Sequence, residues 1–334
     1  MGKLANNELQ QILDCIRKDY RVVIPPMIGY DAGVHRLGDK CVVVATDPCM
    51  DVPEDWFGWL LINYTASDVA LSGAKPQFCT VTLLGPRQTK PRSFQRIMKQ
   101  TCQAADELNI AIVRGHTGMY DSLRDIVGVC TVYGTVEPQS LITAGGAKPG
   151  DLVLCTKPLG HETITNYSLE HKQGAKRLFG AIKQQELGKQ VSMQSCVKEA
   201  LELAGIEGVD ALHDATEGGF VSALNEIAKA SDVGFSITWE SIPTPPEALT
   251  LKKHFGLTNK QVLSMSSTGT ILGAVKPQSK QKVTNALKDL GLTASWIGEF
   301  TKNKARILIK GKKARVFPKQ PDDPYTMILA KATS

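Results

Sequence analysis

Cys41-Val-Val-Val-Ala-Thr-Asp47 is a continuous run of apolar, mostly β-branched residues, the pattern of a strand covered on both faces. Helices and strands alternate around it. Upstream, the sequence predicts a polar helix over 7–18 and a Pro- and Gly-punctuated loop over 24–34. Downstream it predicts a helix over 56–72, entered through Pro53, Glu54 and Asp55 and closed by Gly73. A strand over 77–84, an amphipathic helix over 93–108 and strands over 110–114 and 126–136 complete the first half. Ala144-Gly-Gly-Ala-Lys-Pro-Gly-Asp151 reads as a turn and as the domain boundary, giving domains 1–147 and 148–334. The second half repeats the alternation, with strands over 152–156, 209–212, 234–239, 267–275, 294–300 and 305–309. Helical stretches run to about 204, then over 219–230 and 280–290. The expected fold class is therefore α/β (α+β mixed), in two domains.

Composition bounds the function. The 334 residues suit two domains at roughly 100–200 residues each. A hydrophobic share of 42% with 22% charged residues is that of a soluble globular chain and excludes disorder. The net charge of +6 is spread thinly; its densest stretch, 302–315, alternates Lys and Arg with Ile307, Leu308 and Ile309 and reads as a solvated strand pair. With 6% aromatics, a base-stacking nucleic-acid surface is not expected. No apolar run reaches the roughly 18 residues that span a bilayer, so no membrane partner is expected. The N-terminus lacks a secretory h-region, which points to the cytoplasm. The 8 cysteines form no C-x-x-C pair and sit mostly in apolar segments, as buried reduced thiols do.

Three carboxylates stand out in the first half. Asp31 lies in a glycine-bracketed loop between Gly29 and Gly33, Asp47 at the end of the apolar strand, and Asp68 in the apolar helix Leu60-Leu-Ile-Asn-Tyr-Thr-Ala-Ser-Asp-Val-Ala-Leu71. Each alone could be a turn, capping or ion-paired acid. If they converge, like charges about 4 Å apart cost about 4 kcal/mol per pair at an effective dielectric near 20. A divalent cation such as Mg²⁺, which also holds phosphate oxygens, removes that cost. Arg114-Gly-His-Thr117 follows a predicted strand, where ligand crevices of α/β folds lie. There Gly115 allows close backbone approach, while His116 and Thr117 offer donors. His213-Asp-Ala-Thr-Glu-Gly-Gly219 reads as a strand-to-helix turn. Thr216 would cap the helix, and Gly218 and Gly219 would leave N–H groups open to an anion. Asp214 beside that anion would need a bridging metal. His116 and His213 are base candidates by residue type. The chain contains no P-loop, no G-x-G-x-x-G after a strand, no G-x-S-x-G and no H-E-x-x-H.

Thr46-Asp47, Ala66-Ser-Asp-Val-Ala-Leu-Ser-Gly-Ala-Lys-Pro76, Gly115-His-Thr117, Lys148-Pro-Gly-Asp151 and His213-Asp-Ala-Thr-Glu-Gly-Gly219, in that order, resemble the aminoimidazole ribonucleotide synthetase superfamily. That superfamily also holds thiamine monophosphate kinase, selenophosphate synthetase, formylglycinamidine ribonucleotide synthetase and the hydrogenase maturation enzyme that dehydrates a carbamoylated cysteine. The whole chain looks most like the archaeal synthetase-related branch. The resemblance implies an N-terminal domain whose sheet forms a homodimer interface, a C-terminal α/β domain, and ATP with Mg²⁺ held between them. It implies Asp31, Asp47, Asp68 and Asp214 as metal ligands. Gly29, Thr46, Gly115, His116, Thr117, Thr216, Gly218 and Gly219 would bind the nucleotide, and His116, His213 and Asp214 would be the catalytic candidates. The implied activity is γ-phosphoryl transfer to an amide, carbonyl or phosphate oxygen of a small metabolite, with release of ADP, by a cyclo-ligase-like enzyme or a phosphotransferase. The alternative is a nucleotide-binding regulatory or assembly protein without turnover.

Departures bear on the substrate. The last six residues, Leu329-Ala-Lys-Ala-Thr-Ser334, contain no cysteine, unlike the maturation enzyme. The 29–38 loop has no cysteine, unlike selenophosphate synthetase. Tyr30 precedes a single Asp31, where thiamine monophosphate kinase has paired acids.

Overall fold

The computed structural model describes residue 4 and residues 6–331; the tip of the cysteine-free end, 332–334, lies outside them. The chain is a mixed α/β protein with two sheets. Two compact units divide it. One holds Arg17–Pro26 and Asp31–Leu141; the other holds Met1–Ile16, Met27–Tyr30 and Ile142–Ser334.

The first unit is built on six strands, β1 (Val22–Ile24), β2 (Gly33–Leu37), β3 (Lys40–Cys49), β4 (Lys75–Pro86), β5 (Ala111–Tyr120) and β6 (Val127–Val136). Their order is β1-β2-β3-β6-β4-β5, antiparallel throughout except for the parallel β4–β5 pair, which the helix Pro91–Glu107 connects. The helix Phe57–Leu71 packs across β3 and β6 and against Pro91–Glu107. Leu60, Leu61, Ile62, Ala66 and Val69 are all buried. A helix this apolar on every side is a core helix rather than a surface one. Both helices lie on one face of the sheet. The other face carries Val44, Thr46, Thr82, Val129, Thr131 and Tyr133, in register across β3, β6 and β4, and neither helix covers it.

The second unit is built on β7 (Leu152–Cys155), β8 (Val209–Ala215), β9 (Gly234–Thr238), β10 (Ser267–Val275), β11 (Ser295–Thr301), β12 (Arg306–Lys310) and β13 (Lys313–Val316). The order is β13-β12-β9-β11-β7-β10-β8, with β9 and β12 parallel. Every residue of β10 is buried, and Phe220, Phe235, Phe300 and Phe317 fill the core. Phe235 and Phe317 meet edge to face with ring centres 5.0 Å apart. From Met27–Tyr30, Gly29 lies against Glu226 and the Tyr30 hydroxyl against Gly145.

Several predicted boundaries move. The polar helix stops at Leu13, and the 29–38 loop contains strand β2. β5 runs on through Tyr120 and β8 through Ala215, so the Gly115–Thr117 and His213–Asp214 motifs lie inside strands and not in turns. The stretch 302–315 does form the expected solvated strand pair, β12 with β13. All eight cysteines are free, six of them buried; Cys15 and Cys102 are exposed. Among the described residues, no helix is long and apolar enough to cross a membrane.

Candidate functional site

In the N-terminal unit the pleat of β3 separates Thr46 from Asp47. Cys41, Val43, Ala45, Asp47 and Cys49 alternate onto the face beneath the helix Phe57–Leu71, where the Cys49 thiol donates to the Phe57 carbonyl at 3.8 Å. Thr46 points to the opposite face, with its hydroxyl 3.2 Å from the Cys130 carbonyl and 2.8 Å from the Thr131 hydroxyl. Asp47 is half-buried and pairs in register with Cys130. The Cys130 thiol, hydrogen-bonded with the Cys79 thiol, buried and facing the Asp47 charge, is held far above the ordinary thiol range. Asp68 is half-buried on the helix that packs over β3, and Asp31 is half-buried just ahead of β2. The elements carrying Asp47 and Asp68 therefore pack directly on one another.

The Gly115-His-Thr117 motif sits elsewhere in this unit. β5 is the edge strand, three places from β3, so their backbones are about 14 Å apart at about 4.8 Å per strand. Gly115 is required by its neighbour: a Cβ there would lie 2.4 Å from the Val81 carbonyl oxygen. Its close approach is thus to β4. His116 and Thr117 are exposed, and His116 Nε2 lies 3.1 Å from the Tyr120 hydroxyl.

In the C-terminal unit the predicted turn residues form a buried polar group on β8 and β10. His213 is buried with its Nε2 2.8 Å from Glu226 Oε2, on the helix Gly219–Ala230. Buried Asp214 accepts from the Gly269 N–H at 3.4 Å. The predicted helix cap is corrected by the structure. Thr216 is not the cap; its carbonyl accepts the Gly219 N–H at 2.8 Å, and Gly218 occupies the cap position. Gly218 donates its N–H to Asp323 Oδ2 at 2.9 Å, so one N–H of the helix start is met by the protein's own carboxylate. Both glycines have positive φ, +83° and +54°, and a Cβ on Gly219 would lie 2.4 Å from the Met265 carbonyl oxygen. Lys148-Pro-Gly-Asp151 is likewise a structural turn, with the Asp151 carboxylate accepting from the Lys148 N–H at 2.7 Å.

Residues that sequence reasoning passed over complete this group. Glu162 accepts from the Thr268 N–H at 3.1 Å and from its hydroxyl at 2.6 Å. Burial pushes Glu162 up to about 7 despite those bonds, and the Asp323 and Asp214 charges add to the effect. Burial also raises Asp323, although it accepts from Ser266 at 2.6 Å, Gly218, and Tyr325 at 2.9 Å. His161 is pulled down to about 3 by burial and by the Lys157 charge. The adjacent His161 and Glu162, just after Gly160, were the available signal, since two ionisable groups opening a buried helix need partners. For Asp323 the only local partner is Tyr325, two positions on, while Ser266 and Gly218 lie 57 and 105 positions away in sequence.

Comparison with known proteins adds two domain matches. Residues 29–136 match the N-terminal domain of AIR synthase related proteins and residues 148–310 match the C-terminal domain. The selenide, water dikinase of Myxococcus xanthus is 28% identical over 346 residues, covering 93% of this chain and 94% of that protein. Among solved structures, Escherichia coli HypE is 26% identical with a TM-score of 0.75, covering 86% of this chain and 88% of that one. A hydrogenase maturation protein HypE in complex with ATP shares the fold at 18% identity, with a TM-score of 0.71 and coverage of 95% and 91%. The two domain matches, in order along the chain, and the fold they share with these structures place the chain in the AIR synthase related family.

Proposed function

We propose that the chain is an ATP- and Mg²⁺-dependent enzyme that transfers the γ-phosphoryl group to an oxygen of a small metabolite and releases ADP. The observation that carries this reading is the pairing of elements in the N-terminal unit. Half-buried Asp47 lies on the face of β3 over which the Asp68-bearing helix packs. The family relationship supports it, since one relative is a dikinase and one solved relative is complexed with ATP. The donor set fits the metal: carboxylate oxygens are the hard ligands Mg²⁺ takes, and the Cys130 thiol, in register with Asp47, is held protonated. Asp31, Asp47 and Asp68 would hold the ion. Bound Mg–ATP supplies a phosphoryl group whose developing charge the metal neutralises. The chain's part is positioning. Thr46, tied to the β6 backbone, keeps β3 in register so that Asp47 stays beneath its helix. His213, oriented by Glu226, is the better base candidate of the two histidines, because its partner fixes the ring. In this reading Asp214 stays a ligand candidate of the C-terminal unit, while the Gly218 N–H ties the helix start to Asp323.

The test is calorimetry with Mg–ATP and ADP release against a panel of metabolites bearing amide, carbonyl or phosphate oxygens. Asp47→Asn is expected to lower ADP release about a hundredfold, the usual scale for losing one electrostatic contact to the transferring group, and to weaken Mg–ATP binding. Unchanged nucleotide affinity in this variant would overturn the reading.

Homodimerisation belongs to the same proposal. The face that neither N-terminal helix covers is a Val, Thr and Tyr surface, with Phe78 and Tyr133 rings 5.5 Å apart at its margin. Apolar patches of this kind mark association surfaces. Sedimentation should give twice the chain mass for the wild type and the single-chain mass for Tyr133→Arg. A monomeric wild type would sink this part.

A further inference from the structure

The C-terminal unit holds a cavity of about 750 Å³ whose lining meets the phosphoryl-transfer reading only at Glu226; it is formed by the outer face of the helix Gly219–Ala230, by β12 and by residues within 316–321. Its volume is within the about 300–1,000 Å³ of small-molecule sites. Arg306 is its central feature. The guanidinium is half-buried, and among the described residues no carboxylate forms an ion pair with it. Its recorded partner is the neutral Asn225 Oδ1. Asn225 is itself fixed, donating from Nδ2 to the Val221 carbonyl at 2.6 Å and the Pro318 carbonyl at 2.9 Å. Arg306 is thus a desolvated cation held in place by a locked amide, with burial pulling its pKa down.

The rest of the lining has the same sign. Lys229, Lys304 and Lys319 are exposed around the cavity, and Lys304 is additionally paired with Asp232. The one carboxylate in the lining, Glu226, is taken by His213 at 2.8 Å. Ile28, Ile307, Phe317 and Pro321 supply an apolar wall.

We propose that this cavity binds a small phosphomonoester with an apolar body, its phosphate on Arg306 and its body against Ile307 and Phe317. A phosphate fits better than a carboxylate. Arg306 alone would neutralise a monocarboxylate, whereas a phosphate dianion uses the guanidinium fork and one or two ammonium groups together. Asn225 acts as a positioning residue, holding the fork toward the ligand.

The test is calorimetry on the full chain with phenyl phosphate as probe, in the presence of saturating Mg–ATP so that any nucleotide site is filled. The wild type should bind it. Arg306→Gln should weaken binding at least about tenfold and Lys319→Glu about threefold or more, both leaving Mg–ATP affinity unchanged. Benzoate should bind more weakly than phenyl phosphate, and inorganic phosphate more weakly too because it lacks the apolar body. Lys319 is exposed, so Lys319→Glu keeps the test decisive if Arg306→Gln fails to fold. The proposal is overturned by no binding to the wild type, by equal affinity in Lys319→Glu and in folded Arg306→Gln, by benzoate binding as tightly, or by Arg306→Gln weakening Mg–ATP instead. Loss of nucleotide binding in Asp47→Asn with phenyl phosphate still bound would show two separate sites.

Discussion

Lys157→Met is expected to cost about 3–5 kcal/mol of unfolding free energy, the usual penalty for leaving one partner of a buried ion pair alone. Lys157 follows β7, and its side chain is only 3% exposed against 7% for its partner Glu199. An ammonium has three donors. Here one reaches Glu199, one the Met193 carbonyl at 2.9 Å and one the Ser195 carbonyl at 2.7 Å. Methionine fills the volume but strands a carboxylate and two carbonyl oxygens away from water. Adding Glu199→Leu removes the stranded charge, so the double variant should recover most of the loss. The double-mutant cycle is read from urea unfolding of the C-terminal unit at neutral pH. A single-variant cost below about 1 kcal/mol, the scale of a surface pair, would show that the pair is not buried as described.

The second large effect is one of pH. His161 and Glu162 are adjacent, both buried, and shifted in opposite senses. The folded chain holds His161 neutral down to about pH 3, while the unfolded chain protonates it from 6.5. The unfolded state then binds the extra proton, so stability falls as pH drops through that interval. Glu162 keeps its proton up to about 7 in the folded chain, against 4.5 when unfolded. The folded state binds the extra proton, so stability falls as pH rises from 4.5 to 7. Each pH unit is worth about 1.4 kcal/mol per group. Between 4.5 and 6.5 the two slopes oppose each other and the pair contributes a flat region. His161→Phe should therefore gain on the wild type as the medium is acidified, by about 4 kcal/mol near pH 3 relative to neutral pH. Glu162→Gln should gain as pH rises, by about 3 kcal/mol between pH 4.5 and 7. Urea midpoints of both variants and the wild type at acid, intermediate and neutral pH would test this. Parallel curves for all three would refute it.

How much of this was legible in the sequence depended on where each element's partners lie. The helix Gly219–Ala230 and strand β10, Ser267–Val275, follow the predicted bounds because their signals are local: paired glycines before an apolar stripe, and an apolar run between turns. β5 outran its prediction because Gly115 reads as a breaker in sequence, while in the sheet it is the residue that lets β5 approach Val81. β8 outran its prediction because buried His213 and Asp214 have partners far off in sequence, among them Glu226 and Gly269, which lie 13 and 55 positions on. The short helix Asn259–Leu263 was overlooked although Thr258 and Gln261 form a capping box, a signal fully present in the sequence. The carboxylates Asp31, Asp47 and Asp68 were visible as acids in apolar surroundings. The reach of Asp323 to Gly218 was not, since nothing near either residue encodes it.

The strip Met27–Tyr30, which belongs with Ile142–Ser334, carries a consequence for biogenesis. Gly29 leaves the ribosome about 200 residues before Glu226, its neighbour in the folded chain, so at about 5–20 residues per second it waits about 10–40 s for its seat to be made. During that interval the apolar Met27 and Ile28 have no finished partner surface. Nascent chains halted before the helix Gly219–Ala230 should expose this strip to chaperones and proteases, and full-length chains should not.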